Sequence, residues 1–359
     1  MKFNYISNGK SNFFPKFCEN SEKYLLETIK PYTKNDEERE VINQYLHQEV
    51  KKRLAIKESI LNADEIQGNC IFFQNAMASA IQRQRLPNWI KSHFSHLLKD
   101  KRKSVAGNAF CIAYESITKE AFTGYLPQRW LEQHPSRSEG NGKNDSKDDV
   151  DLLDGLIEEI AMELMKLSAT KDDDKQSLPS KRSLYIRLAK TGVQFLSFIQ
   201  TWGGAKNLIL TLDELYSNAE NHGLLERYKI LCVHLPLLFT RINGIKTVMA
   251  QYILKELGYP SAKNDVHIKR ILGVFKENGL LQNIDSKDDI NSNLIFLEIA
   301  QTLPASKGSS LAEKIYYLDK LFWLLNNRNF YLDKALQKKL KVKGKTQEKA
   351  INNLIKQSL

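Results

Sequence analysis

Apolar residues recur at every third or fourth position through most of this chain, and stretches that alternate apolar with polar residues are hard to find. A spacing near 3.6 gathers apolar groups on one face of an α-helix, whereas a half-buried strand needs a period of two. Residues that break helices are sparse, with 17 Gly and 9 Pro in 359 residues. The pattern predicts an all-α fold. Hydrophobic residues make up 42% of the chain, enough to bury a sizeable core in one large helical domain or two lobes.

The charge balance narrows the partners. Lys and Arg number 53 against 42 Asp and Glu, a net charge of +11. A surplus of this sign suits a polyanion, because basic side chains displace condensed counterions from phosphates. The four cysteines, Cys18, Cys70, Cys111 and Cys232, are far apart and form no CxxC pair. That spacing argues against a zinc ribbon and a cysteine-ligated iron–sulfur cluster. It also argues against a disulfide framework, so a reducing compartment is expected, with all four thiols acting as small buried hydrophobes. The seven His residues show no HExxH-like spacing, and neither a metal nor a cofactor is expected. No run of 18 apolar residues occurs, and the opening MKFNYISNGK lacks the apolar stretch of a secretory signal. The expectation is a cytoplasmic protein of bacterial type, nucleoid-associated, with no membrane partner.

Five segments follow along the chain. Residues 1–65 read as an N-terminal helical extension, in which Val41, Ile42, Tyr45, Leu46 and Val50 mark one or two amphipathic helices between Asn35 and Asp64. Residues 66–134 hold helical units over about 73–98 and from Ala106 towards Glu120. Residues 135–183 form a polar, acidic insertion. It begins with PSRSEGNGKNDSKDDVD, ends with SATKDDDKQSLPSKRS, and carries a short helix marked by Leu152, Leu153, Leu156, Ile157, Ile160 and Leu164. Its acidic residues would be repelled by a polyanion, so the insertion is expected away from any binding face. Residues 184–330 are continuously helical. Residues 331–359 form a basic tail with eight Lys against Asp333 and Glu348, read either as a solvated helix face or as a phosphate-contacting tail.

The most informative stretch is LPLLFTRINGIKTVMAQYILKELGYPSAKNDVHIKRIL, residues 235–272. It reads helix, tight turn, helix, loop, helix. Asn243-Gly244 signals the turn, since Gly tolerates positive φ. The next helix carries Val248, Met249, Tyr252, Ile253 and Leu257, and stops at Gly258 with Pro260 beyond. A further helix starts near Asn264 or Asp265, either of which can cap it.

This stretch resembles the helix-hairpin-helix motif and aspartate loop of the HhH-GPD superfamily of DNA glycosylases. The hairpin (235–257) is carried by Ile242, Gly244, Ile245, Lys246, Ala250, Ile253 and Leu254, and Lys246 stands where the family has its second glycine. The aspartate loop (258–272) is the stronger match. There Pro260 is followed by Asn264, Asp265, Val266, His267, Ile268, Lys269 and Arg270, close to the family's VDxHxxR. The resemblance implies a two-lobed helical glycosylase-like fold, with the N-terminal extension and the charged insertion as additions. It implies that Gly244, Ile245, Lys246 and Thr247 hold a DNA phosphate. It also implies that Asp265 is catalytic, its carboxylate stabilising an oxocarbenium-like sugar and helping to position water at C1′. Without that role Asp265 is a helix N-cap. His267 touches phosphate or caps the helix.

Two registers stay open at the lysine that forms a Schiff base in lyase-active members. With Gly244 as the first glycine, Val248 takes that place and the enzyme is monofunctional. This register puts Ala250, Ile253 and Leu254 on the apolar positions and is preferred. With Gly244 as the second glycine, Lys246 is the nucleophile of a bifunctional enzyme. Upstream, NAMASAIQRQRLPNWIKSHFSHLL faintly resembles the family's base-gap-filling turn. Gln82 and Gln84 would fill the gap left by a flipped base and Arg83 would face phosphate, unless the stretch is a plain amphipathic helix. The partner implied is double-stranded DNA with a modified or damaged base, and no obligate protein partner is expected. Repair and antiphage removal of hypermodified bases both fit. A non-catalytic helix-hairpin-helix DNA-binding protein of repair or recombination is the alternative.

Overall fold

The computed structural model describes residues 5–32, 40, 46, 49–83, 105–128, 148–168, 178–222, 225–263, 265–284, 289–327 and 344–359. Regular structure among them is helical. The helices are α1 Phe13–Ile29, α2 Glu49–Asn62, α3 Glu65–Arg83, α4 Val105–Thr118, α5 Asp148–Ser168, α6 Leu178–Thr201 and α7 Ala205–Asn221. They continue with α8 Leu225–Phe239, α9 Thr247–Glu256, α10 Val266–Glu277, α11 Asp289–Thr302, α12 Leu311–Asn327 and α13 Gly344–Ser358. Extended pairing among the described residues is one isolated bridge, Ile6 with Leu281. The all-α reading of the apolar periodicity therefore holds. No helix among the described residues is long and apolar enough to cross a membrane.

Contacts divide the chain into two units. One comprises residues 1–56, 219–238 and 250–359, and the other residues 57–218 and 239–249. In the first, aromatic rings from distant parts of the sequence meet. Phe13, Phe14 and Phe17 lie 6.0, 5.7 and 5.0 Å from Phe275 of α10. Phe322 of α12 meets Phe275 at 5.7 Å and Phe296 of α11 at 5.5 Å. Offset and edge-on aromatic pairs of this kind add specific geometry to area burial. Glu22 of α1 accepts from the Tyr317 hydroxyl at 2.5 Å and from Lys307 Nζ at 2.7 and 2.8 Å.

Part of the basic tail, residues 344–358, is helical. Its last part is α13, whose Ile351, Leu354 and Ile355 are buried and which packs against α1. Lys349 and Lys356 stay on the exposed side. The apolar stripe decides which face turns inward and leaves these lysines on a solvated helix face. Residues 331–343, with most of KKLKVKGK, lie outside the described residues.

In the second unit, Phe73 of α3 packs against Phe110 of α4, Phe122 and Phe195 of α6 at 5.1, 4.9 and 6.4 Å. Asn69, fully buried, accepts the Ala205 N–H at the start of α7 (2.7 Å) and donates to Thr123 O (3.3 Å). Gly192 leaves room for a ring: a Cβ there would sit 2.2 Å from Phe110. The helix expected within 135–183 is α5, 21 residues long rather than short. Leu156, Ile157, Ile160, Ala161 and Leu164 are buried, and α5 packs on α4 and α6. That stripe makes it part of the unit's core. Residues 135–147 and 169–177 lie outside the described residues. Cys18, Cys111 and Cys232 are buried, Cys70 is half-buried, and none of the four is in a disulfide.

Candidate functional site

The hairpin turn belongs to the second unit. Helix α8 ends at Phe239 and α9 begins at Thr247. Gly244 adopts φ +81°, the left-handed conformation that the Asn-Gly signal called for. The turn is closed from within, Ile242 N–H donating to Phe239 O (3.1 Å) and Ile245 N–H to Ile242 O (3.0 Å). It is also held by α6. Thr191 Oγ1 donates to Asn243 O at 2.9 Å, and Gln194 Oε1 accepts the Asn243 N–H. Gly244 and Lys246 are exposed, Thr247 half-buried, and Ile245 buried. The Ile245 amide is thus spent inside the turn. Met249 N–H donates to Lys246 O (2.8 Å), so in the first turn of α9 the amides left for an outside acceptor among the described residues are those of Thr247 and Val248. Val248 is 3% exposed and has no amine to offer.

The aspartate loop belongs to the first unit, and its start is set by a Schellman ending to α9. Gly258, at φ +83°, donates to Lys255 O (3.0 Å), and Tyr259 N–H reaches back to Leu254 O (3.0 Å). The next residues are pinned by two buried side chains that sequence reasoning missed. Asn293 of α11 accepts the Ala262 N–H at 3.1 Å and donates to Cys232 O at 2.8 Å. Asp319 of α12 accepts the Lys263 N–H on Oδ1 at 3.0 Å and Lys255 Nζ on Oδ2 at 2.6 Å. Lys255 is 2% exposed. Its ammonium also lies 4.7 Å from the Tyr252 ring centroid and 5.1 Å from that of Tyr316. A signal for both was present, since Lys255 and Asp319 interrupt the apolar faces of their helices. Charged residues are seldom fully buried unless paired.

Asp265 follows in extended conformation, φ −89° and ψ −175°, as N-cap of α10. Of the two candidates for that cap, it is Asp265. Its Oδ1 accepts the His267 N–H at 2.9 Å and the Ile268 N–H at 3.4 Å. Its own N–H donates to Lys263 O at 2.7 Å. Asp265 is half-buried, and among the described residues Oδ2 makes no hydrogen bond. The carboxylate is therefore fixed by one oxygen and presents the other.

His267 takes part in the cap only through its backbone, which corrects the expectation that it caps the helix itself. Its imidazole meets the Trp323 ring at 6.4 Å, and Nδ1 is buried without a hydrogen-bond partner among the described residues. Burial holds the imidazole below its ordinary value of 6.5, the Asp265 charge working the other way. Arg270 donates to Gln347 Oε1 at 3.0 Å. The loop thus brings Lys263, Asp265 and His267 together on a rigid turn, while Gly244 to Thr247 sit in the other unit. Gln82 and Arg83 close α3, and Gln84 lies outside the described residues.

Compared with protein-family models, curated proteins and solved structures, the chain matches none.

Proposed function

We propose that this chain is a DNA N-glycosylase that flips a modified or damaged base out of the duplex and cuts its N-glycosidic bond. The observation that carries the reading is the held Asp265 carboxylate, anchored by Oδ1 and presenting Oδ2 from a turn locked by Asn293 and Asp319. Breaking an N-glycosidic bond develops positive charge at C1′ and O4′. A carboxylate placed in advance stabilises that charge without reorganising during the reaction. The same anion helps position the attacking water. The chain's net charge of +11 and the amides and exposed Lys246 of the hairpin turn supply the grip on phosphate.

One observation favours a second reading. Capping alone accounts for an Asp at the start of α10, as it would in a helix-hairpin-helix protein that binds DNA without catalysis. Asp265→Asn separates the two. Asn keeps the cap, since its side-chain oxygen accepts the same N–H groups, but loses the charge. Wild type and variant are incubated with duplex oligonucleotides and with heavily modified phage DNA, then treated with alkali. Alkali-labile breaks made by wild type alone establish the glycosylase. Equal salt-dependent binding by both proteins, with no breaks on any substrate, establishes the non-catalytic reading.

A further inference from the structure

Lys263 stands two residues before Asp265 in the same turn. Its backbone is fixed on both sides, its N–H donating to Asp319 Oδ1 at 3.0 Å and its carbonyl accepting the Asp265 N–H at 2.7 Å. The side chain is half-buried, with Nζ 4.7 Å from the Tyr252 ring centroid. Lys255 lies against the same ring but is paired with Asp319. Among the described residues Lys263 has no carboxylate within 4.0 Å of its nitrogen. A half-buried, unpaired ammonium beside a second ammonium is an arrangement that favours the neutral amine. Burial holds Lys263 below its ordinary value against the opposing charge of Asp265, with Lys255 adding to the lowering and Asp319 and Glu256 also opposing it. The other lysines near the matched motif offer less. Lys246 is exposed in the hairpin turn, and Lys255 is 2% exposed and closed in.

We propose that Lys263 is the nucleophile of a second activity, a lyase step that nicks the strand after the base is lost. The inference rests on the glycosylase reading of the Asp265 turn, and it moves the reactive amine from the hairpin to the aspartate loop. The neutral Lys263 amine attacks C1′, and the C1′–N bond breaks with its electron pair leaving on the base, which takes up a proton. The new C1′–N bond becomes an imine as the ring C1′–O4′ bond opens. Oxygen O4′ takes a proton, and Nζ gives up the protons it can no longer carry. Loss of a proton from C2′ then expels the 3′ phosphate with the C3′–O electrons, and water hydrolyses the imine to return the amine. Asp265 faces the cationic stages. Water is the only co-reactant.

The test does not require knowing the target base. The full chain is mixed with a duplex oligonucleotide holding one abasic site, made by excising uracil, in the presence of sodium borohydride. Hydride adds to C1′ of the imine and locks the adduct. The expected result is a covalent protein–DNA species whose modified peptide maps to Lys263. Both the adduct and the alkali-independent nick are lost in Lys263→Arg, which keeps the charge and stem but is not a nucleophile, and both persist in Lys349→Arg, the same change at an exposed lysine of α13. An adduct on any other amine overturns the assignment. So does the absence of an adduct from a wild-type protein that still makes alkali-labile sites in modified DNA, and in that case the glycosylase reading survives. Absence of adduct, alkali-labile sites and salt-dependent DNA binding together overturns both.

Discussion

Replacing Lys255 by Met tests whether the aspartate loop is held electrostatically. The Lys255 ammonium sits 2.6 Å from Asp319 Oδ2, and the two side chains are 2% and 7% exposed. Met matches the stem of Lys and removes only the charge and its hydrogen bonds. It leaves the Asp319 carboxylate buried, with the Lys263 N–H as its remaining close donor of the two. Removing one partner of a buried pair costs about 3–5 kcal/mol, mostly as the penalty of the stranded charge. At about 2–4 °C per kcal/mol for a unit of this size, the associated transition should fall by roughly 10 °C. The double variant Lys255→Met/Asp319→Asn removes both charges and keeps an acceptor for the Lys263 N–H. It should regain most of the loss, with a coupling energy of about 2 kcal/mol or more between the sites. Calorimetry follows the transition, and hydrogen exchange of the α12 amides assigns it to this unit, since a chain with two units has no single unfolding free energy. A double variant no more stable than Lys255→Met would refute the reasoning, because stranded charge would then not be the source of the cost.

Three further outcomes follow from the geometry. The folded-state value of His267 lies below 6.5 because of burial, so the unfolded chain binds the proton more readily. Stability from this group is complete above about pH 6.5 and drains away as pH falls through the lower folded value. His267→Gln should flatten that acid limb of a melting-temperature profile, and parallel profiles for the two proteins would exclude the effect. Gly244 at φ +81° should tolerate Asn far better than Ala. The Ala variant should lose about 1–2 kcal/mol and bind DNA more weakly in a salt titration. Gly192→Ala would place a methyl 2.2 Å from the Phe110 ring. Overpacking of that kind costs about 1–3 kcal/mol, and thermal melts should show Phe110→Leu restoring much of it.

What could be read from the sequence was local. Asn243-Gly244 announced a turn, Gly258 with Pro260 a helix end, and Asp265 a helix start. Each depends on the conformational freedom or capping ability of one residue and its neighbours, and each is where it was expected. What could not be read was long-range. Asp319 reaches Lys255 across 64 residues and the Lys263 N–H across 56, and Asn293 holds the Ala262 N–H across 31. No spacing rule links such pairs. The same limit hid the partner of α1, whose sequence FFPKFCENSEKYLLETI carries an aromatic face that meets Phe275 of α10. It also hid the fact that the hairpin turn and the aspartate loop fall in different contact units although fewer than twenty residues separate them.

The pairing of α1 with α13 has a consequence for how the protein is made. Asn20 Nδ2 donates to Ser358 Oγ across 338 residues. At ribosomal rates that interval lasts on the order of half a minute. For most of it Phe13, Phe14 and Phe17, buried in the finished protein, lack α10 and their ring partner Phe275, then α12, and α13 comes last of all. The second unit draws nearly all of its chain from one uninterrupted run, residues 57–218, and can collapse while the first still waits. Order of synthesis and order of folding are therefore reversed for the first helix. It emerges early and is among the last elements to find its partners, so the newborn chain carries its stickiest aromatic face in the open for the longest time.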